Sequence, residues 1–545
     1  MKMSINRNVL IGISSILAFS CTSDKGEKEK QRPNILIAIS DDQSFPHTSF
    51  AGCEFINTPA FDRIAEEGIY FTNCMAASPG CAPSRSALVT GRHHWQNEQS
   101  GQHAAGWMAK YVPMVDMFEK AGYHAGFTSK GVSPFRYGES IDGAILRESD
   151  AAGIRFDKYE YEEGSYEKIV PANKINDNNY YANFEYFMSE REEGKPFYFW
   201  YGSTEPHRAF EKNSWKRHGK KLEDVDVPEF LPDNEIIRGD ILDYAVEIEW
   251  FDHHLSKMLN YLDSIGELEN TIVIVTSDNG MAFPRAKANA YEYGIHVPLT
   301  ISYPTEISGG RVVDDPIGFI DLAPTLLEMT GTSSDGMLPM SGKSISHILT
   351  SDKSGIVDPS REYVFSGRER HSSSRWKNLG YPQRAIRSKD FLFIWNLKPE
   401  RWPAGAPQSY ASEEKTELNP MYGIQPDGNH ISNQAFTDID ACPTKSFLVE
   451  NHEDEDVKPY FDLAVGLRPE YELFNIKEDP YCLNNLAGKT EYSNVENKLR
   501  VALLEELQRS QDPRIVGPDK DVFDSYPRYS PMRYFPVPYW GEGER

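Results

Sequence analysis

Cysteine is scarce in this chain, with six in 545 residues, at positions 21, 53, 74, 81, 442 and 482. No two stand at the C-x2-4-C spacing of a tetrahedral zinc site, so a zinc ribbon is excluded, and six scattered thiols cannot staple a fold of this length. Whether Cys53, Cys74, Cys442 and Cys482 pair is open, because spacing gives no connectivity. Basic residues are also short, 57 Lys and Arg against 82 Asp and Glu, which leaves a formal net charge of −25. That field repels nucleic acid and anionic membrane surfaces, so a polyanion can bind only in a locally basic pocket. No apolar run approaches the roughly 20 residues of a membrane-spanning helix. What is present is a globular composition, 39% hydrophobic and 26% charged, on a chain long enough for roughly two to four domains.

Lys2 and Arg7 flank the start of a mostly apolar stretch, Val9 to Phe19, that is too short to span a bilayer and reads as an export signal. It ends Leu17-Ala18-Phe19-Ser20-Cys21, which resembles a loose lipobox with Cys21 as the lipidated first residue. The expectation is an exported, periplasmic or cell-surface lipoprotein that meets the membrane only through its lipid; a soluble secreted protein with an incidental cysteine is the alternative. Residues 22–32 are charged, lack apolar periodicity and read as a tether. The organisation expected is a signal peptide over 1–20, a lipidated tether over 21–32, a main domain over 33–380 and a smaller C-terminal subdomain over 381–545.

Ile35 to Ile39 is a short aliphatic run bounded by Pro33 and by Asp41-Asp42, the pattern of a buried strand. A helix follows, with Thr58 as its cap, Pro59 at its first position, Phe61, Ile64 and Ala65 inward, and Gly68 as its stop. Ile241 to Ile265 carries apolar residues on one helical face and Gly266 at its end, and Thr271 to Thr276 and Phe197 to Tyr201 read as further buried strands. Alternating strands and helices predict an α/β fold, a mostly parallel sheet covered on both faces. Beyond about residue 380, Ala385-Ile386-Arg387 to Trp395-Asn396 reads as a strand hairpin, Val495 to Gln508 as a helix, and Pro513 to Arg545 as a Pro- and Tyr-rich tail that wraps back over the main domain.

The sharpest chemical signal is Cys81-Ala82-Pro83-Ser84-Arg85, continuing Ser86-Ala87-Leu88-Val89-Thr90-Gly91. Pro83 opens a helix that Gly91 closes, which places Cys81 at a positive N-terminus suited to a nucleophile attacking an anionic ester, with Arg85 one turn inside. Asp41-Asp42 and Asp278-Asn279-Gly280 follow strands, and the carboxyl ends of strands form the ligand crevice of open α/β sheets. Three carboxylates and an amide make an all-oxygen site for Ca²⁺ or Mg²⁺ rather than Zn²⁺; either pair alone is also the signature of a turn or helix cap. His253-His254, on the long helix, lacks the i, i+4 spacing of a two-histidine metal face, and His93-His94 reads as loop rather than ligand.

The run C-A-P-S-R-S-A-L-V-T-G resembles the full signature of the type I, formylglycine-dependent sulfatases, C-x-P-S-R-x4-T-G. The likeness extends from about 33 to 490 through N-I-L-I-A-I-S-D-D, T-P-A-F-D-R-I-A-E-E-G, T-S-D-N-G and E-L-F-N-I-K-E-D-P. It implies an alkaline-phosphatase-like α/β fold with a C-terminal antiparallel subdomain, and oxidation of Cys81 to formylglycine by a maturation enzyme. It further implies that Asp41, Asp42, Asp278 and Asn279, with formylglycine 81, bind one divalent cation, usually Ca²⁺. Arg85, Lys130 and Lys287 would hold the sulfate, and His207 would meet the leaving oxygen or nitrogen. Many members carry a histidine two residues after the lysine matched by Lys130; this chain has Val132, so the base that regenerates the aldehyde is unassigned. The closest likeness is to the sulfamidase-like branch, from T-S-D-N-G-M-A-F-P, E-P-H-R and G-Y-P-Q-R-A-I-R-S-K-D-F. Arg368, Arg370 and His371 would supply a basic substrate wall, or else form only a solvated charge run.

The implied function is a sulfatase acting on a sulfated saccharide. The alternatives are N-sulfoglucosamine sulfohydrolase action, a phosphodiesterase or phosphonate hydrolase of the same superfamily, and a sulfated-glycan-binding lipoprotein if Cys81 stays a thiol.

Overall fold

A computed structural model describes residue 1 and residues 31–530 apart from 141–142, 162–174, 413 and 415. The export signal, Cys21 and the last fifteen residues of the tail lie outside the described residues. The strands, numbered in chain order, are β1 Asn34–Ser40, β2 Ile69–Phe71, β3 Cys74–Met75, β4 His124–Ser129, β5 Ile154–Arg155, β6 Phe197–Gly202, β7 Thr271–Ser277, β8 Leu299–Ser302, β9 Arg311–Val313, β10 Ile317–Gly318, β11 Val364–Arg368, β12 Gln383–Arg387, β13 Phe391–Asn396 and β14 Tyr471–Asn475.

Eight of them form one sheet in the order β5-β4-β6-β1-β7-β8-β2-β9. β1 lies at its centre, parallel to β6 on one side and β7 on the other, and only the β7–β8 and β2–β8 pairs are antiparallel. Alternation along the strands supplies both faces. Ile35, Ile37 and Ile39 of β1, with Ile272 and Ile274 of β7, enter one apolar core, while Leu36, Ala38, Val273 and Val275 enter the other. The helix Cys81–Thr90 sends Ala87, Leu88 and Val89 into the first, and the helix Glu235–Ser264 sends Phe251, Leu255, Met258, Leu259 and Leu262 into the second. The expected α/β sheet covered on both faces is therefore what the chain forms.

The helix Pro59–Glu67 occurs where Thr58, Pro59 and Gly68 place it, but the Thr58 side chain makes no cap bond. Asp252, from the Glu235–Ser264 helix, accepts the N–H groups of Ala60 and Phe61 at 2.9 Å each and satisfies those donors instead. That long helix begins six residues before Ile241, at an Asn234 cap whose side chain accepts from Ile236 and Ile237.

β11, β12, β13 and β14 make a second, antiparallel sheet in that order, and the β12–β13 hairpin is the one read from sequence. The boundary set at 380 falls inside this sheet, between β11 and β12. Helix Ser493–Arg509 covers it through Leu499, Leu503 and Leu507 against Ile386, Phe393 and Leu473. The described part of the tail returns to the main domain, where Tyr529 donates its N–H to Ala104 at 2.7 Å. Cys53, Cys74, Cys81, Cys442 and Cys482 are all free thiols, and no helix among the described residues is long and apolar enough to cross a membrane.

Candidate active site

Because β4, β6, β1 and β7 run parallel, their carboxyl ends open on one edge, and each delivers a charged or polar group there. β1 gives Asp41 and Asp42, β4 gives Lys130, the loop after β6 gives His207, and β7 gives Asp278 and Asn279. Asp42 holds a left-handed backbone at φ 77°, a conformation in which aspartate is several-fold enriched. Gly280 is required at its turn because a β-carbon there would stand 1.8 Å from the carbonyl oxygen of Tyr293. Cys81 is the first residue of the helix Cys81–Thr90, which Gly91 closes at φ 64°, and both Cys81 and Arg85 are fully buried.

The contacts join the predicted residues into one cluster. Arg85 Nε donates to Asp278 Oδ2 at 2.7 Å, and its Nη1 donates to the carbonyls of Lys130 and Gly131 at 2.9 and 3.0 Å. Arg85 Nη2 is buried with no hydrogen-bond partner. Lys130 Nζ pairs with Asp41, and Lys287 Nζ lies 2.6 Å from Asp42 Oδ2. Asn279 Nδ2 donates to Asp42 Oδ1 at 2.8 Å and to the carbonyl of Gly280, so the amide oxygen is the atom left over. His207 Nδ1 donates to the carbonyl of Arg208 at 2.6 Å, which leaves Nε2 facing the site, 3.9 Å from Asp42 Oδ2.

Asp440 is a member that sequence reasoning missed. It lies in an irregular stretch far from any motif, and its Oδ2 is 3.1 Å from Lys287 Nζ. Ligand atoms of Asp41, Cys81 and Asp278 lie within 4.8 Å of one another, as do those of Asp42, His207 and Asp440.

Burial of so many like charges pushes their protonation equilibria apart. Burial raises Asp42 to about 6 against the pull of Lys287, with Asp41 and Asp440 adding to the rise. Burial likewise lifts Asp278 to about 6, with Asp41 adding to it and Arg85 opposing. Asp41 goes the other way, because Lys130, His207 and Arg85 overcome its burial. Burial and Lys287 draw His207 down to about 4, a pull weakened by water, since 34% of its side chain is exposed.

The set fits a divalent cation. Asp41 Oδ1 and Asn279 Oδ1 are buried oxygens with no donor to satisfy them, and they stand among carboxylates whose repulsion a cation relieves.

The residues expected to wall the substrate are placed differently from one another. Arg368 is buried and paired with Asp438, and so acts as a brace rather than an open wall. Arg370 is buried as well and donates to the carbonyl of Pro527 at 3.3 Å. His371 lies against the Cys81 turn, with its Nδ1 3.2 Å from where a β-carbon on Gly80 would stand. Val132 is fully buried in the apolar core and takes no part in the polar cluster.

Comparison with known proteins places this geometry. Residues 33–332 match the family model described as sulfatase, and residues 286–387 match that described as N-sulphoglucosamine sulphohydrolase, C-terminal. An ulvan-active sulfatase of Formosa agariphila is 26% identical over 93% of this chain and 81% of its own length. Human N-sulphoglucosamine sulphohydrolase is 23% identical over 90% of this chain and 93% of its own. In fold the chain is similar to a protein solved in complex with its substrate D-glucosamine-2-N,6-O-disulfate, with a TM-score of 0.58 at 18% identity, covering 88% of this chain and 98% of that one. The chain belongs to the sulfatase family.

Proposed function

We propose that this protein hydrolyses sulfate from a sulfated saccharide, using a formylglycine made from Cys81 by a maturation enzyme and a Ca²⁺ or Mg²⁺ ion held by Asp41, Asp42, Asp278 and Asn279. The observation that carries the reading is the placement of Cys81 at a buried helix N-terminus, within ligand distance of Asp41 and Asp278 and ringed by Arg85, Lys130 and Lys287. As an aldehyde hydrate, residue 81 would supply one hydroxyl to attack sulfur and a second whose collapse to C=O expels sulfate. The cation would supply Lewis-acid polarisation of the sulfate.

This chain's own side chains do the rest. Arg85 has an unused, buried Nη2 donor for a sulfate oxygen and is fixed by three bonds, so it need not reorganise as charge develops. Lys130 and Lys287 bring two further cations to the same oxygens, each held by a carboxylate. His207 presents Nε2 on the exposed side of the cluster, where it can donate a proton to the departing oxygen or nitrogen. The ester's own negative charge favours the protonated imidazole against the pull of Lys287.

Cleavage of an S–N bond is a second reading, favoured by the N-sulphoglucosamine sulphohydrolase match over 286–387. Export, with a lipid on Cys21, completes the proposal and rests on the N-terminal sequence alone. Sulfate release from glucosamine N-sulfate and glucosamine 6-O-sulfate, assayed in parallel, decides between the two bonds. Release from neither, nor from other sulfated sugars, overturns the proposal.

A further inference from the structure

Residues 438–444 lie beyond both family matches, which end at 332 and 387, yet they are fastened to the site at two points. At one, Asp438 receives the guanidinium groups of Arg368 and Arg375 together with the N–H and hydroxyl of Ser372. At the other, Thr444 donates its hydroxyl to Asp240 at 2.6 Å. Asp240 in turn takes both Nη groups of Arg208, at 2.7 and 2.9 Å, and Arg208 follows His207 in the chain. A side chain carried between two such fastenings is ordered at little further cost in chain entropy. That side chain is Asp440, itself 2% exposed, at 3.1 Å from Lys287.

An ammonium group has three N–H donors. On Lys287 one is donated to Asp42 at 2.6 Å, while Asp440 Oδ2 stands 3.1 Å from the ammonium as an ion-pair partner without a hydrogen bond, so N–H donors remain for a ligand. A lysine on its flexible four-carbon stem is a poor clamp when only one partner fixes it. Asp42 alone is an insecure partner, because a cation held by Asp41, Asp42, Asp278 and Asn279 competes for the same oxygens. Asp440 is not part of that oxygen set and stays available to Lys287 when the set is filled. Its carboxylate also lies on the His207 side of the cluster, within 4.8 Å of the ligand atoms of Asp42 and His207.

Resting on the sulfatase reading above, we propose that Asp440 is a positioning residue: its carboxylate holds the Lys287 ammonium by charge so that an unused N–H meets the sulfate group beside the atom that departs. Arg368 then serves the reaction through the loop, by holding Asp438, rather than by touching the saccharide.

The test uses the matured, metal-loaded enzyme with inorganic sulfate as the probe, measured as a competitive inhibitor and by calorimetry. Asp440→Ala should weaken sulfate binding about 10- to 100-fold, the range expected when a charge-assisted anchor is lost. Affinity for the metal should not change. Asp440→Asn keeps an acceptor without the charge and should fall between the wild type and Asp440→Ala. The double variant with Lys287→Ala should bind sulfate no more weakly than Lys287→Ala alone, since the two residues act as one unit. Unchanged sulfate affinity in Asp440→Ala, with or without a lower melting temperature, overturns the proposal, as do fully additive losses in the double variant. Should Asp440→Ala fail to fold, Asp440→Asn carries the same criterion. A wild type that turns over no sulfated sugar and binds no sulfate contradicts the functional reading and this proposal with it, whereas an active wild type matched by its Asp440 variants sinks this proposal alone.

Discussion

Arg85 Nε lies 2.7 Å from Asp278 Oδ2, and both side chains are fully buried. The pair ties the Cys81 helix to the carboxyl end of β7 and, through it, to the oxygens offered to a metal. Arg85→Lys keeps the charge but loses the planar fork that reaches Asp278, two carbonyls and the substrate side at once. kcat/KM should fall about 10²- to 10³-fold, as for loss of one preorganised donor. Arg85→Ala takes away the guanidinium bonded to the buried Asp278 carboxylate, leaving Lys130 at 3.9 Å as its nearest cation, and should also cost about 3 kcal/mol of stability. Steady-state kinetics and melting curves of the two variants check both outcomes, and a fully active Arg85→Lys enzyme would remove Arg85 from the sulfate site.

Removal of divalent ions should lower both activity and melting temperature, because Asp41, Asp42 and Asp278 then repel one another without relief. Adding Ca²⁺ or Mg²⁺ at about 100 times its dissociation constant should restore roughly 2.7 kcal/mol of stability, and Zn²⁺ should not substitute at an all-oxygen set. Calorimetric melting of the chelated, dialysed protein with each ion measures this. A melting temperature indifferent to Ca²⁺ and Mg²⁺ would contradict the assignment.

His207→Ala should cost far more on a sulfated sugar than on nitrophenyl sulfate, whose leaving oxygen departs unaided. General acid catalysis is worth about 10²- to 10⁴-fold only where expulsion is difficult. kcat at saturating substrate is the quantity to compare, because a lost binding contact would otherwise be read as lost acid catalysis. Equal falls on the two substrates would make His207 a binding residue instead.

Away from the site, Glu292 is buried against both Nη2 and Nε of Arg387, at 2.9 and 3.0 Å, and against His296 at 3.0 Å. Burial raises its pKa, but Arg387 and His296 overcome this and bring it from 4.5 down to about 2. A carboxylate depressed in the folded state adds stability that is fully present above its unfolded value and is lost as pH falls through its folded value. The protein should therefore lose roughly 3 kcal/mol from this group between about pH 4.5 and 2, and Glu292→Gln should be less stable near neutrality with a flatter acid limb. Urea unfolding of both proteins across that window checks the sign. Parallel acid limbs would refute it.

What could be read from sequence followed local grammar. The Cys81–Thr90 helix, the β1 and β7 strands and the acids at their ends all lie in short segments whose periodicity and terminators are contiguous. Parallel strands then bring their ends together without further information, which is why Asp41, Asp42, Asp278 and Asn279 could be grouped before any coordinates. Asp440 could not, because its place depends on the pairing of Arg368 and Arg375 with Asp438, long-range contacts that leave no local signature. The cap on the Pro59–Glu67 helix was misplaced for the same reason: Thr58 is the residue that sequence favours, and Asp252, 194 positions later, takes the N–H groups. Arg368 reads as a surface charge in the run G-R-E-R-H and is instead buried, because β11 carries it beneath the 438–444 loop.

The most direct test of the account is mass spectrometry of the peptide containing residue 81, from protein made in its native host, set against the sulfatase activity of the same sample. The account predicts an aldehyde or its hydrate at position 81 in a fraction that tracks activity, and an unmodified, inactive Cys81→Ser variant that still folds. An active preparation in which residue 81 is an intact thiol would contradict it.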